Sequence, residues 1–109
     1  MSDYQAFNVQ LNEQVAHVQI NRPDKVNAMN AAFWREIIEI FRWIDEHDEV
    51  RAVVISGAGK HFSSGIDLAL LGAVAGELGS DAGRNARLLR RKIEQLQASF
   101  TAVAECRKP

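Results

Sequence analysis

The chain has 109 residues, of which 47% are hydrophobic and 25% are charged, as is usual for one globular domain. Thirteen basic residues nearly balance fourteen acidic ones, which excludes a general electrostatic attraction to nucleic acid or to anionic lipid. A single cysteine, Cys106, excludes an internal disulfide framework. No window is apolar enough for a membrane span, and the polar first residues lack a secretory or transit pattern, so we expect a cytoplasmic protein.

The first predicted element is a β-hairpin. Apolar residues alternate with polar ones on both sides of a polar turn at 12–14. The apolar set is Phe7, Val9, Leu11, Ala16, Val18 and Ile20. His17 falls on the polar face, where we expect a solvated side chain rather than a catalytic one.

A helix and a second kind of strand follow the hairpin. Asn30 is a predicted N-cap for a helix from Ala31 to about Glu46, whose wide apolar surface indicates contacts on two sides. The β-branched run at 52–56 is typical of a strand covered on both faces in a parallel sheet. These elements predict a βαβ unit and an α/β fold.

The remaining elements are a loop and two helices. Glycine and serine dominate residues 57–65, and a short helix is predicted from Ile66 to about Ala73. Small residues at 76–83 predict a flexible loop. From Arg84 onward, apolar residues at three- and four-residue intervals predict a long amphipathic helix with a solvated basic face. The chain reaches Pro109 without a further strand, so we expect a truncated domain.

The loop before the short helix is the candidate site, because α/β sheets bind ligands at the carboxyl ends of parallel strands. We expect Gly65 to adopt a positive φ and the amides of Gly65, Ile66 and Asp67 to point outward. Three functions compete for such a loop. A phosphate cradle lacks its glycine motifs, and a nucleophile elbow lacks G-x-S-x-G, so neither Ser63 nor Ser64 is expected to be a nucleophile. The third function is a backbone oxyanion hole.

Two motifs favour the oxyanion hole. The segment from Phe62 to Leu68, FSSGIDL, resembles the F-x-[AS]-G-x-D-[LI] signature of the crotonase family of enoyl-CoA hydratases and isomerases. The earlier segment from Arg22 to Ala28, RPDKVNA, resembles the family's R-P-x-x-x-N-A motif. The terminal Lys108-Pro109 is similar to the K-P that precedes the family's next core strand. The resemblance covers essentially the whole chain and implies the N-terminal part of the crotonase ββα spiral fold.

The resemblance also implies roles for individual residues. The N–H of Ile66 would be one of two donors to a thioester oxygen, and Asp67 would cap the short helix in preference to transferring protons. His61 is not expected to be a base. Coenzyme A would enter as part of the substrate, with no permanently bound cofactor and no metal. The positions implied to line it are Val26, Ala28, Ser64, Gly65, Ile66, Asp67 and Leu68.

The family further implies what lies outside these residues. Its second oxyanion donor comes from a Gly-Gly-Gly segment after the next strand, and its acids and bases come later still, so we expect the isolated 109 residues to be inactive. The whole protein would hydrate or isomerise an enoyl- or dienoyl-CoA as a trimer or hexamer. The residues of the second motif are most similar to those of dienoyl-CoA isomerases. The alternatives are a non-catalytic acyl-CoA-binding or assembly module and an unrelated α/β domain.

Overall fold

The computed structural model describes residues 3–109, which form one three-stranded sheet and three α-helices. The sheet has the order β1-β2-β3, with β2 antiparallel to β1 and parallel to β3. The elements are β1 (Phe7–Asn12), β2 (Val15–Ile20), α1 (Ala31–Glu46), β3 (Ala52–Gly57), α2 (Leu68–Gly76) and α3 (Ala82–Ala104), with a 3₁₀ turn at Pro23–Lys25. Among residues 3–109, no helix has both the length and the apolar character that a membrane crossing requires.

The predicted hairpin is confirmed. β1 and β2 pair from Phe7 opposite Ile20 to Asn12 opposite Val15. The turn residues Glu13 and Gln14 both have positive φ, 50° and 67°, which is the backbone twist that suits a two-residue hairpin turn. The alternating residues of β2 are buried and form one side of the core.

The predicted α1 is confirmed with its bounds and its cap. The Asn30 side chain accepts a hydrogen bond from the Phe33 amide at 2.9 Å, which satisfies one of the free donors at the helix start. Phe33 packs on Phe7 of the sheet, with ring centroids 4.9 Å apart. Trp34 packs on Phe100 of α3 at 5.2 Å. The helix therefore contacts neighbours on two sides, as its wide apolar surface predicted.

Strand β3 confirms the βαβ unit but not the predicted burial. Val53 and Ile55 pack against the core, whereas Val54 is 50% exposed on the opposite face. On that face, His17 lies opposite Val54, and its Nε2 atom lies 2.6 Å from the Ser56 hydroxyl. The prediction that both faces are covered is wrong for the described residues, because α1 and its neighbours pack on one side of the sheet only.

Helices α2 and α3 differ slightly from their predicted bounds. α2 begins at Leu68 instead of Ile66, and it includes Gly76, while α3 already starts at Ala82. Only residues 77–81 of the stretch predicted to be flexible lie outside a helix, and its mobility stays a prediction. α3 is joined to α1 by the fully buried Ser99, whose hydroxyl donates to the Trp34 carbonyl at 2.9 Å.

Candidate functional site: a two-loop amide site

Two loops meet at the carboxyl edge of the sheet. β2 and β3 are parallel and end together, with Ile20 paired to Gly57. The loops that follow them, residues 21–30 and 58–67, therefore leave the same edge, where α/β sheets bind ligands. A short parallel bridge between Met29 and Ile66 joins the two loops at their far ends.

Asn27 holds the two loops together from the inside. Its side chain is fully buried. Its Oδ1 atom accepts from the Arg22 amide at 2.9 Å, and its Nδ2 atom donates to the carbonyls of Ala58 and His61, both at 2.8 Å. Its own carbonyl accepts from the Ser63 hydroxyl at 2.8 Å. Asn27 belongs to the quoted R-P-x-x-x-N-A motif, but its role was not predicted, since its partners are 31 and 34 residues away.

The first loop is strained at Val26 and Asn27, which both have φ of 54°. A left-handed backbone is rare for a β-branched residue and costs about 1–3 kcal/mol. Asn27 satisfies the surrounding polar groups and so maintains this conformation. The strained turn directs the Val26 carbonyl to the Ser64 amide at 3.0 Å and leaves the Val26 side chain 44% exposed.

Gly65 has φ of 98°, which confirms the predicted positive φ. Among residues 3–109, no heavy atom beyond Gly65 and its two chain neighbours lies within 4 Å of the place where a Cβ would stand, so the surface over Gly65 is open to a ligand. The Gly65 amide donates to the Ser63 hydroxyl at 3.1 Å. Because that hydroxyl also donates to the Asn27 carbonyl, Ser63 braces the loop.

Within residues 64–67 of the second loop, one amide is left over. Ser64 donates to the Val26 carbonyl at 3.0 Å, Gly65 to Ser63, and Asp67 to the Met29 carbonyl at 3.0 Å. The Ile66 amide donates to no acceptor within residues 3–109. The prediction that the amides of Gly65 and Asp67 also point outward is wrong, because both already donate to protein acceptors. The bridge to Met29 engages the Asp67 amide, and the Ser63 hydroxyl engages the Gly65 amide.

Asp67 caps α2, as predicted. Its Oδ1 atom accepts from the Ala69 amide at 2.8 Å, and its Oδ2 atom lies 3.0 Å from Arg22 Nη1. The hydrogen bond from Arg22 and that from the Ala69 amide hold the pKa of the Asp67 carboxyl below its usual value. Arg22 belongs to the quoted R-P motif, but its pairing with Asp67, 45 residues away, was missed.

The other predicted ligand positions lie at the same edge of the sheet, and they differ in hydrogen bonding and exposure. Ala28 is engaged internally, since its amide donates to Lys25 and its carbonyl accepts from Arg22 Nη1 at 2.6 Å. Leu68 is 80% exposed, and His61 is exposed with its carbonyl bonded to Asn27. No group of three or more His, Cys, Asp or Glu side chains in the described part of the chain has the arrangement to hold a metal ion.

An apolar cavity of about 370 Å³ adjoins Ile66. It lies among α1, α2 and α3, and its charged lining residues are Arg35 and Lys92. Its larger apolar lining residues include Trp34, Leu70, Val74, Leu89, Ile93 and Leu96. A groove of about 570 Å³ lies farther along α1 and α3, but none of its lining residues belongs to the two loops. The smaller cavity is therefore the one lined by the residue that carries the free amide.

Position 57, immediately before the second loop, requires glycine. A Cβ at this position would stand 2.5 Å from the Phe62 carbonyl oxygen and 2.6 Å from that of His61. We expect Gly57→Ala to lower the free energy of unfolding by about 1–3 kcal/mol, because backbone rather than a side chain must move. Gly72→Ala is the control, since a Cβ there meets nothing within 4 Å and alanine favours the helix by about 1 kcal/mol. Equal stability of the two variants in urea unfolding would contradict this interpretation.

Comparisons with known proteins agree with this geometry. The Enoyl-CoA hydratase/isomerase family matches residues 10–107. The mouse mitochondrial Delta(3,5)-Delta(2,4)-dienoyl-CoA isomerase is 47% identical over the whole chain, which covers 35% of that protein. The peroxisomal isomerase of that name from Arabidopsis thaliana is 43% identical over 87% of the chain and 35% of its own length.

A solved structure supports the same conclusion. An enoyl-CoA hydratase/isomerase from Mycobacterium paratuberculosis superposes with a TM-score of 0.80 and 25% identity, over 99% of this chain and 41% of that one. The chain thus spans about a third of the length of the relatives that it matches. Its mixed α/β architecture is that of the crotonase fold, and the prediction of an unrelated α/β domain is wrong. The chain belongs to the enoyl-CoA hydratase/isomerase family.

Proposed function

We propose that the protein acts on an acyl-CoA thioester and that the Ile66 amide stabilises the thioester oxygen as it gains negative charge. The observation that carries this proposal is the free N–H of Ile66. The amides of Ser64, Gly65 and Asp67 on either side of it all donate hydrogen bonds. Such a preorganised donor stabilises an oxyanion without reorganisation during the reaction. The open surface over Gly65 allows the thioester to approach this amide.

The proposed reaction is the migration of double bonds from a 3,5-dienoyl to a 2,4-dienoyl thioester. A proton leaves C2 and a proton is added at C6, so the composition of the substrate does not change. Loss of the C2 proton gives an enolate, and its oxygen carries the charge that the amide stabilises. The sequence identity of 47% to the mouse dienoyl-CoA isomerase supports this reaction over double-bond hydration, which is the second possible reaction of the family.

The surroundings of the amide fit the rest of such a substrate. Val26 and Leu68 expose apolar side chains, and we assign them with Ala28, Ser64 and Asp67 to the coenzyme A side of the site. The apolar cavity at Ile66 suits the acyl chain, because its volume lies in the range of ligand pockets and few charges line it. No permanently bound cofactor is part of the proposal.

A non-catalytic acyl-CoA-binding or assembly module is the second candidate function. It is favoured by the pairing of Asp67, the carboxylate next to the amide, with Arg22, which leaves that carboxylate engaged. With one backbone donor and no acid or base, we expect the isolated chain to be inactive. The two candidates differ in turnover rather than in binding.

The experiment uses the full natural protein and a conjugated 3,5-dienoyl-CoA. We expect it to convert this substrate to the 2,4-isomer, monitored by ultraviolet absorbance and chromatography. We also expect an acyl-CoA at one hundred times its Kd to raise the free energy of unfolding by about 2.7 kcal/mol. Stabilisation without turnover of dienoyl- or enoyl-CoA would support the binding module, and absence of both would refute the proposal.

Assembly and location are further parts of the proposal. A trimer or hexamer is supported by apolar side chains exposed on α3, Ile93 and Phe100, each 52% exposed. The proposed cytoplasmic location competes with the mitochondrial and peroxisomal locations in the names of the relatives. Cell fractionation and light scattering of the natural protein would decide these two points.

A further inference from the structure

We propose that Arg22 is a positioning residue that fixes the direction of the Ile66 amide. The inference rests on the proposed function of that amide. Arg22 lies on the first loop and contacts Ala28 and Asp67, but not the Ile66 amide itself. Its role would be to hold the two loops at the separation and angle that the Ile66 N–H requires.

The direction of the Ile66 amide is set by the peptide groups on either side of it. The Met29 amide donates to the Gly65 carbonyl at 2.8 Å, and the Asp67 amide donates to the Met29 carbonyl at 3.0 Å. Any movement of Met29 therefore rotates the peptide plane that carries the Ile66 N–H. What holds Met29 in place thus holds the donor in place.

One nitrogen atom of Arg22 contacts both sides of this bridge. Nη1 donates to the carbonyl of Ala28, the residue before Met29, at 2.6 Å, and to the carboxylate of Asp67, the residue after Ile66, at 3.0 Å. The side chains of Arg22 and Asp67 are only 17% and 18% exposed, so water competes little for these bonds. The Arg22 amide is itself held by the buried Asn27.

The ion pair also has an electrostatic consequence. Asp67 places a negative charge one residue from an amide that must face a developing oxyanion. The guanidinium of Arg22 neutralises that charge locally while leaving the carboxylate free to cap α2. Because the pKa of Asp67 is lowered, the carboxylate is ionised throughout the neutral range and the pair persists there.

The test compares Arg22→Gln, Arg22→Lys, Asp67→Asn and the double variant Arg22→Gln with Asp67→Asn in the full natural protein. Asparagine at 67 keeps an N-cap acceptor but loses the charge. We expect Arg22→Gln and Asp67→Asn each to lower kcat by about tenfold with little change in KM, and to be non-additive in the double variant. Arg22→Lys should recover part of kcat, because it keeps the charge but not the planar guanidinium.

Two matched variants control for loss of a cap or of an ion pair as such. Asp81→Asn alters the corresponding cap of α3, and Arg107→Gln removes the exposed pair with Asp45, and both should leave kcat unchanged. Amide hydrogen exchange of Asp67 provides a readout independent of turnover, and Arg22→Gln should accelerate it about tenfold. Inactive wild-type protein would refute the proposed function, whereas unchanged exchange and kcat, or a change in KM alone, would overturn the role of Arg22.

Discussion

Replacing the Ile66 amide by an ester, which puts oxygen in place of N–H, is expected to lower kcat by about 10²–10³. The ester removes a single donor and keeps the isoleucine side chain. The bridge to Met29 uses the Asp67 amide, which is unchanged, and the Gly65 carbonyl, which becomes a weaker ester acceptor. The substitution is introduced with the α-hydroxy analogue of isoleucine, and kcat and KM are measured with the dienoyl-CoA substrate.

The control is an ester at Ala82, the first residue of α3, whose amide also donates no hydrogen bond within residues 3–109. An ester at Ala82 weakens the Asp81 carbonyl, the acceptor of the Asn85 amide, in the same way and so controls for the weaker ester acceptor. This variant should retain wild-type kcat. We expect the ester at Ile66 to change kcat more than KM, because an oxyanion donor interacts more strongly with the enolate than with the ground-state thioester. Equal kcat in the two ester variants would remove Ile66 from the mechanism.

The local patterns of the sequence predicted most of the fold. The hairpin was predicted to within one residue at its turn, and α1 was predicted with its bounds, because each carries its own signal. A period of two with a polar turn defines the hairpin, and an Asn30 cap before apolar residues at helical spacing defines α1. The start of α2 was placed two residues early, since Ile66 continues the apolar pattern of the helix although it bridges to Met29 as an extended residue.

The site was predicted in its parts but not in its connections. The positive φ of Gly65 and the cap at Asp67 follow from residue type and position. The hydrogen bonds of Asn27 and Arg22 join residues 31 to 45 positions apart, and no local pattern encodes such pairs. The left-handed backbone at Val26 contradicts its residue type, and it is tolerated because the surrounding contacts stabilise it.

This dependence on distant contacts explains why, among residues 64–67, only the Ile66 amide has no acceptor within residues 3–109. Had residues 65–67 formed the first turn of α2, several free amides would have faced the ligand. The bridge to Met29 instead engages Asp67, and the Ser63 hydroxyl engages Gly65. The Ile66 amide is thereby left free next to Gly65, which has no side chain.

Gly65→Val is expected to abolish acyl-CoA binding by the full natural protein. An L-residue with a branched side chain disfavours φ of 98°. To relax, the backbone must rotate to negative φ, which turns the peptide between Gly65 and Ile66 and breaks the Met29 bridge. Binding is measured by calorimetry with a non-reactive acyl-CoA thioether, and circular dichroism verifies that the variant is folded.

Backbone conformation can be separated from steric bulk at this position. A Cβ at Gly65 meets nothing within 4 Å, and the same holds at Gly79, which has no positive φ. Gly79→Val therefore adds the same side chain in open space without strain, and it should bind acyl-CoA as the wild type does. Gly65→Ala should weaken binding less than valine, because alanine lacks the branch at Cβ. Wild-type affinity in Gly65→Val would show that the thioester does not require this peptide orientation, and the Ile66 amide would then not be its binding group.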